Sequence, residues 1–201
     1  MIDPRDDRAQ AFTLEALVAG LLVVAALLYA MQAVVVAPGI PGADVEPDIR
    51  QQATDAMDIA QREGAISEMV RYYNNSTSEE TFAHARGEDT GYGSGVPPTR
   101  FGELINQTFH QRGMVVNVDV QYQRPNATST DTERLIYQGA PPDAATVATT
   151  TVTLYSNQTL TGPDGDNVTL AEAASTGAYP IHDVDPGGPL HNVVQVRVVV
   201  W

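Results

Sequence analysis

The sequence predicts an α+β fold in two parts: an N-terminal transmembrane helix, then an extracellular domain with two helices and an antiparallel sheet of about four strands. Three observations predict it. Residues Ala16–Val36 carry no charge, and only Gln32 among them is strongly polar. A helical period of apolar residues runs through 47–73 and returns over 100–112. From Met114 onward the pattern changes to two-residue alternation and to runs rich in Thr and Val, the composition of strands.

The first element follows from length. The 21 residues of Ala16–Val36 would span roughly 31 Å as a helix, against about 30 Å of bilayer hydrocarbon. A buried helix of a globular domain is usually shorter and shows a polar stripe, which is missing here. The run is also too long for a secretory signal peptide and has no small-residue cleavage site just after it. Arg5 and Arg8 precede the run and no base follows until Arg50, so the positive-inside bias puts the N-terminus in the cytoplasm. The predicted organisation is a cytoplasmic leader over 1–11, a transmembrane helix over 12–37, a linker over 38–46 and an extracellular head over 47–201. Pro38-Gly39-Ile40-Pro41-Gly42 makes the linker short and stiff. The lipid bilayer is the first partner implied.

In the head, Pro47 suits a first helical turn, and Asp44, Glu46 and Asp48 suit its positive end. Ile49, Ala53, Ala56, Met57 and Ala60 share one face; Ile66, Met69, Val70 and Tyr73 continue it past Gly64. Such a stripe predicts a helix lying on a sheet. Residues 74–98 are polar and glycine-rich, which predicts a long surface loop. Its Gly91-Tyr92-Gly93-Ser94-Gly95 stretch has no Lys-Ser/Thr after it and no strand before it, so it reads as a flexible loop rather than a phosphate cradle. Thr99 can cap a second helix over Arg100–Arg112, with Gly113 as its stop.

Strands follow. Met114–Gln123 alternates cleanly, with Val116, Val118, Val120 and Tyr122 on one face. A polar loop, Arg124–Thr132, leads to a short strand at Glu133–Gln138. Thr146–Ser156 is a third strand. Asn157–Pro189 reads as a long loop with several turns. Val193–Trp201 has valines on both faces and reads as a central strand.

Composition excludes several classes. Twenty-five acids against eleven bases give a net charge of −14, which argues against nucleic acid or anionic lipid as partner. Every base is arginine. Acid excess without lysine suits a protein kept soluble in concentrated salt, where the Debye length falls to about 3 Å at 1 M. No cysteine is present, so disulfides, thiolate catalysis and cysteine-ligated metals are excluded. The four histidines, His84, His110, His182 and His191, have no metal-pair spacing. His182-Asp183-Val184-Asp185 and Asp164-Gly165-Asp166-Asn167 read as acidic turns rather than cation loops, since the second lacks the third acid and the distal glutamate of an EF-hand. No catalytic grouping emerges from spacing. The expectation is a non-enzyme with no cofactor and no metal. Asn74, Asn75, Asn106, Asn126, Asn157 and Asn167 each have Ser or Thr two places on, which makes them N-glycosylation candidates on an exported surface.

The junction Arg8-Ala9-Gln10-Ala11-Phe12-Thr13-Leu14-Glu15, with the apolar run behind it, resembles the class III signal peptide of type IV pilin-like proteins. The wording RAQAFTLEALVAGLLVVAALL is also similar to a haloarchaeal group of pilin-like membrane proteins of unassigned function. The resemblance covers residues 5–36. It implies that a prepilin peptidase cuts within Arg8, Ala9, Gln10 and Ala11, after Ala9 or after Gln10, and leaves the helix as anchor. It implies that Glu15, fifth or sixth in the cut chain, pairs with the N-terminus of a neighbouring subunit during assembly. Other pilin-like subunits would then be partners through the N-terminal helix, whose Ala16, Ala19, Gly20, Ala25 and Ala26 permit close packing. A helix over a four-stranded antiparallel sheet is also the outline of pilin heads. The Ser-Pro-Val-Ile-Gly opening of many haloarchaeal adhesion pilins is absent, which points to a minor or pseudopilin-like subunit. The alternative is an uncut signal anchor that tethers a non-polymerising binding domain to the surface.

Overall fold

The structure, a computed structural model, describes residues 17–24, 45–74, 81–87, 89–125, 129–163, 165 and 167–201. The chain divides into two compact units, Met1–Ala43 and Asp44–Trp201. In the first, residues 17–24 are helical and their side chains are exposed. Among the described residues no helix is long and apolar enough to cross a membrane. The span predicted over 12–37 lies mostly outside them, as does the leader.

The second unit is α+β, with a four-stranded antiparallel sheet. Its elements are helices α1 (Val45–Arg62), α2 (Ala65–Val70), α3 (Arg100–Thr108) and α4 (Leu170–Thr176), and strands β1 (Val116–Gln123), β2 (Thr130–Ile136), β3 (Thr146–Tyr155) and β4 (Leu190–Val200). A 3-10 turn, His110–Arg112, follows α3. The single helix expected to run on to Tyr73 is broken, because Gly64 takes φ +74 between α1 and α2. That left-handed value suits glycine and ends α-helical hydrogen bonding. The stripe survives the break. Ala53, Ala56, Met57, Ala60, Ile66, Met69, Val70 and Tyr73 are all buried. Thr99 caps α3, its hydroxyl accepting from Gly102 N at 3.4 Å.

The strand order is β2-β1-β4-β3. Ile136, Val118, Val198 and Ala148 form one row across it. Each of the four is buried, as are Val120, Val196, Val194 and Leu154 on the same side. β4 is central, as its valines predict. Val199, on the opposite face, is also buried. There Asn117 accepts from Gln138 N at 2.8 Å and donates to Gly139 O at 2.8 Å, which folds the turn after β2 over that end of the sheet.

Two loop expectations need correcting. Asn157–Pro189 contains α4, capped by the Thr169 hydroxyl accepting from Glu172 N and closed by Gly177 at φ +78. A seven-residue helix is too short to show a clear period, so its caps are its main sequence signal. Nor is 74–98 a free surface loop over its described part. Phe82, Ala83 and Tyr92 are buried, and Tyr92 N donates to Leu135 O at 2.8 Å. Gly91 lies so close to β2 that a Cβ would sit 2.1 Å from Leu135 O. The glycine-rich stretch therefore seals the edge of β2; close backbone approach, not flexibility, requires the glycine there.

Candidate functional site

A cleft with a polar lining opens where β1 and β2 meet the segment after α4. It holds about 710 Å³ and is lined by Asp89, Tyr122, Arg124, Asp131, Glu133 and His182, among others. The sheet register builds it. Tyr122 pairs with Asp131 and Val120 with Glu133, so the alternation of β2 turns Asp131 and Glu133 to the same side as the buried Val120 and Tyr122.

Several of the polar groups in and behind it have identifiable partners. Tyr73 donates to Glu133 Oε2 at 2.5 Å, and Tyr179 donates to Val70 O at 3.1 Å. The rings of Tyr73, Phe82 and Tyr179 form one cluster, with centroids 4.6 Å and 5.1 Å apart from Tyr73. Burial, reinforced by Glu133, pushes the Tyr73 and Tyr179 phenols well above the ordinary tyrosine range. Tyr122 and Tyr92 are raised as well, again chiefly by burial. All four remain protonated donors at neutral pH. Arg124 Nε donates to Asp131 Oδ2 at 2.7 Å at the cleft mouth, and that bond holds the Asp131 carboxyl below its usual range.

Behind the cleft, two fully buried polar side chains on β4 hold its wall. Asn192 continues the β1–β4 pairing by side chain. Its Oδ1 accepts from Gln123 N at 3.2 Å, and its Nδ2 donates to Gln123 O at 3.0 Å and to His182 O at 2.8 Å. His191 places Nε2 2.8 Å from Ile181 O. Its Nδ1 lies 3.9 Å from Asp183 Oδ2. Burial lowers the His191 pKa, against the Ile181 carbonyl and Asp183. The ring is therefore neutral at pH 7, with Nε2–H as the donor to Ile181 O.

The cleft presents phenols, carboxylates and a guanidinium that is already paired. This set suits neutral polar or cationic groups more than anions. Among the described residues no group of three His, Asp or Glu could hold a metal ion. Asp183 instead accepts from Asp185 N at 2.9 Å within its own turn; Asp164 and Asp166 lie outside the described residues.

The residues predicted for processing and assembly, Arg8, Ala9, Gln10, Ala11 and Glu15, also lie outside the described residues, as do Asn75 and Asn126. Of the other sequons, Asn157 and Asn167 are exposed, in turns after β3 and before α4. Asn167 adopts φ +68, a conformation asparagine tolerates better than most residues. Asn74 and Asn106 are half-buried, Asn106 on α3. Sequence reasoning missed Glu133 in the cleft lining and the buried Tyr73, His191 and Asn192 behind it. Only Asp131-Thr132-Glu133, two acids at strand spacing, carried a signal, and only for Glu133.

A layer of helices on a four-stranded antiparallel sheet, with a polar and aromatic cleft, defines a small α+β domain. The chain belongs to a family of unknown function (DUF7288), matched over residues 8–200. No curated protein and no solved structure matches it.

Proposed function

We propose that the chain is a pilin-like subunit, anchored in the membrane by its N-terminal helix, and a minor or pseudopilin-like component of a type IV pilus-like surface assembly. The observation that carries this is the junction Arg8–Glu15 followed by the uncharged run Ala16–Val36. A short charged leader, a small residue, an acid at its set distance and an apolar helix of bilayer length coincide there. Two further points support the reading. The family match starts at Arg8 and ends at Val200, so it takes in both the apolar run and the head. The head is helix-on-sheet, the outline such subunits have. In this reading the N-terminus is cytoplasmic and the head extracellular, where Asn157 and Asn167 are exposed acceptors.

The test is the N-terminal mass of the protein from native membranes. Loss of the first nine to eleven residues is the expected result; an intact Met1 overturns processing. Glu15→Ala is expected to insert in the membrane normally and to assemble poorly. A second reading, a tethered binding domain that never polymerises, is favoured by the polar cleft and predicts an uncut chain.

A further inference from the structure

The two edges of the sheet are finished differently. β2 carries Asp131, Glu133 and Arg134 and is met along Leu135–Ile136 by the Gly91–Tyr92 backbone. β3 is ten residues long, has no charge, proline or glycine, and seven of its ten residues are Thr or Val. Among the described residues no strand pairs with its outer side. Natural sheets usually break such an edge with lysine, proline or a bulge, because its free N–H and C=O groups accept another strand; on β3 the register with β4 shifts only at the end, between Leu154 and Tyr155, where Gln158 takes up the Tyr155 main chain.

We propose that β3 is the docking edge for a second copy of this chain, pairing antiparallel with its own counterpart about a two-fold axis at Thr151. The main chain is oriented for it. The side-chain amide of Gln61 reaches Thr151 O at 3.5 Å from outside the sheet, so that carbonyl points away from β4. Antiparallel strands alternate inward and outward pairs, so Val147, Thr149 and Thr153 present their main chain outward with it. The exposed Gln61 side chain must swing aside, at the loss of that long contact and of its bond from the Thr150 hydroxyl.

The side chains fit the same axis. Val147 and Tyr155, 43% and 47% exposed, are the large apolar groups that β3 leaves in water. Each lies four positions from Thr151. A two-fold axis there sets Val147 of each copy opposite Tyr155 of the other, and Thr149 opposite Thr153. These aromatic–aliphatic and Thr–Thr pairs are favourable in antiparallel sheets. Charge points to the same edge. A chain of net charge −14 repels its own copy over most approaches, whereas β3 itself carries no acid. The contact is isologous and closes at two copies, giving a continuous eight-stranded sheet from two four-stranded ones. One strand pair is smaller than the roughly 1,200–2,000 Å² of a stable soluble interface, so the dimer forms where copies are concentrated or tethered side by side.

Because the chain has no cysteine, single cysteines read this register directly. The full-length chain is purified in detergent at molar salt, as Thr151→Cys, Thr149→Cys and Thr153→Cys variants, and oxidised. Facing residues of an outward pair lie about 5.5 Å apart between Cα atoms, within disulfide range. Thr151→Cys is expected to form a disulfide dimer alone. Thr149→Cys and Thr153→Cys are expected to remain monomeric singly and to cross-link when mixed. Adding Thr151→Lys to that mixture is expected to cut the cross-link at least fivefold with an unchanged melting temperature. Equal cross-linking by all three single variants, no dimer from Thr151→Cys, or cross-linking of Thr151→Cys only to a different protein overturns the proposal. None of these readouts depends on whether the leader is cut, because association through the N-terminal helices does not select among positions on β3.

Discussion

Tyr73 donates its phenolic hydrogen to Glu133 Oε2 at 2.5 Å, which ties the chain leaving α2 to the core side of β2. Tyr73 is fully buried, and its ring also meets Phe82 and Tyr179. One side chain thus joins the helical layer, the segment that seals β2 and the wall of the cleft.

Tyr73→Phe keeps the ring packing and removes only this donor. A hydrogen bond to a buried carboxyl contributes on the order of 1–3 kcal/mol. Denaturant unfolding of the variant is expected to show a loss of that size. An unchanged midpoint and slope would mean that Glu133 is satisfied equally well without Tyr73.

The buried phenols set an alkaline limit. Tyr73, Tyr179, Tyr92 and Tyr122 all have folded-state pKa values above the ordinary 10.0, with burial the largest cause. A raised folded pKa gives stability that is full below the unfolded value and is lost as pH rises past it. Unfolding midpoints are therefore expected to fall from about pH 10 upward. Phenolate absorbance should appear together with unfolding rather than before it.

His191 sets the acid limit with the opposite sign. Its folded pKa lies below the ordinary 6.5, because burial outweighs the Ile181 carbonyl and Asp183. The unfolded chain takes up the proton first, so this contribution is full above about pH 6.5 and shrinks below it. The loss is at most about 1.4 kcal/mol per pH unit for one proton. His191→Gln, which can still donate to Ile181 O, is expected to flatten the slope of unfolding free energy between pH 6.5 and the folded pKa.

Two glycines of the helical layer should respond differently to alanine. In the interior of a helix, Gly→Ala ordinarily gains about 1 kcal/mol. At Gly102, within α3, the new Cβ would lie 1.9 Å from Pro97 O, so the sign reverses to a loss of roughly 1–3 kcal/mol. At Gly64 nothing lies within 4 Å, and only φ +74 opposes the change. The cost there is about 1 kcal/mol. Thermal melts of the two variants should rank in that order.

Salt is expected to raise the melting temperature of the α+β domain. Its nineteen acids and nine bases over residues 47–201 repel one another on balance, and molar salt shortens the Debye length to about 3 Å. A melting temperature that is flat from 0.1 M to 2 M salt would sink the halophile reading.

The sequence by itself determined the helix-on-sheet plan. Period 3.6 over Ile49–Tyr73, period 2 over Val116–Tyr122 and valines on both faces near the C-terminus are short-range patterns, and each fixes which face of its own element is apolar. The cap at Thr99 and the turn at Gly113 were legible for the same reason. The strand order β2-β1-β4-β3 was not, nor was the covering of β2 by Gly91–Tyr92, because both are pairings between residues far apart in the chain. The cleft belongs to that second group. Tyr73, Glu133, Tyr179 and His191 carry no common spacing. Only the closing of the sheet against α2 and the segment after α4 brings a phenol to a carboxyl and shuts an imidazole away from water, and a pKa is set by such neighbours rather than by local sequence.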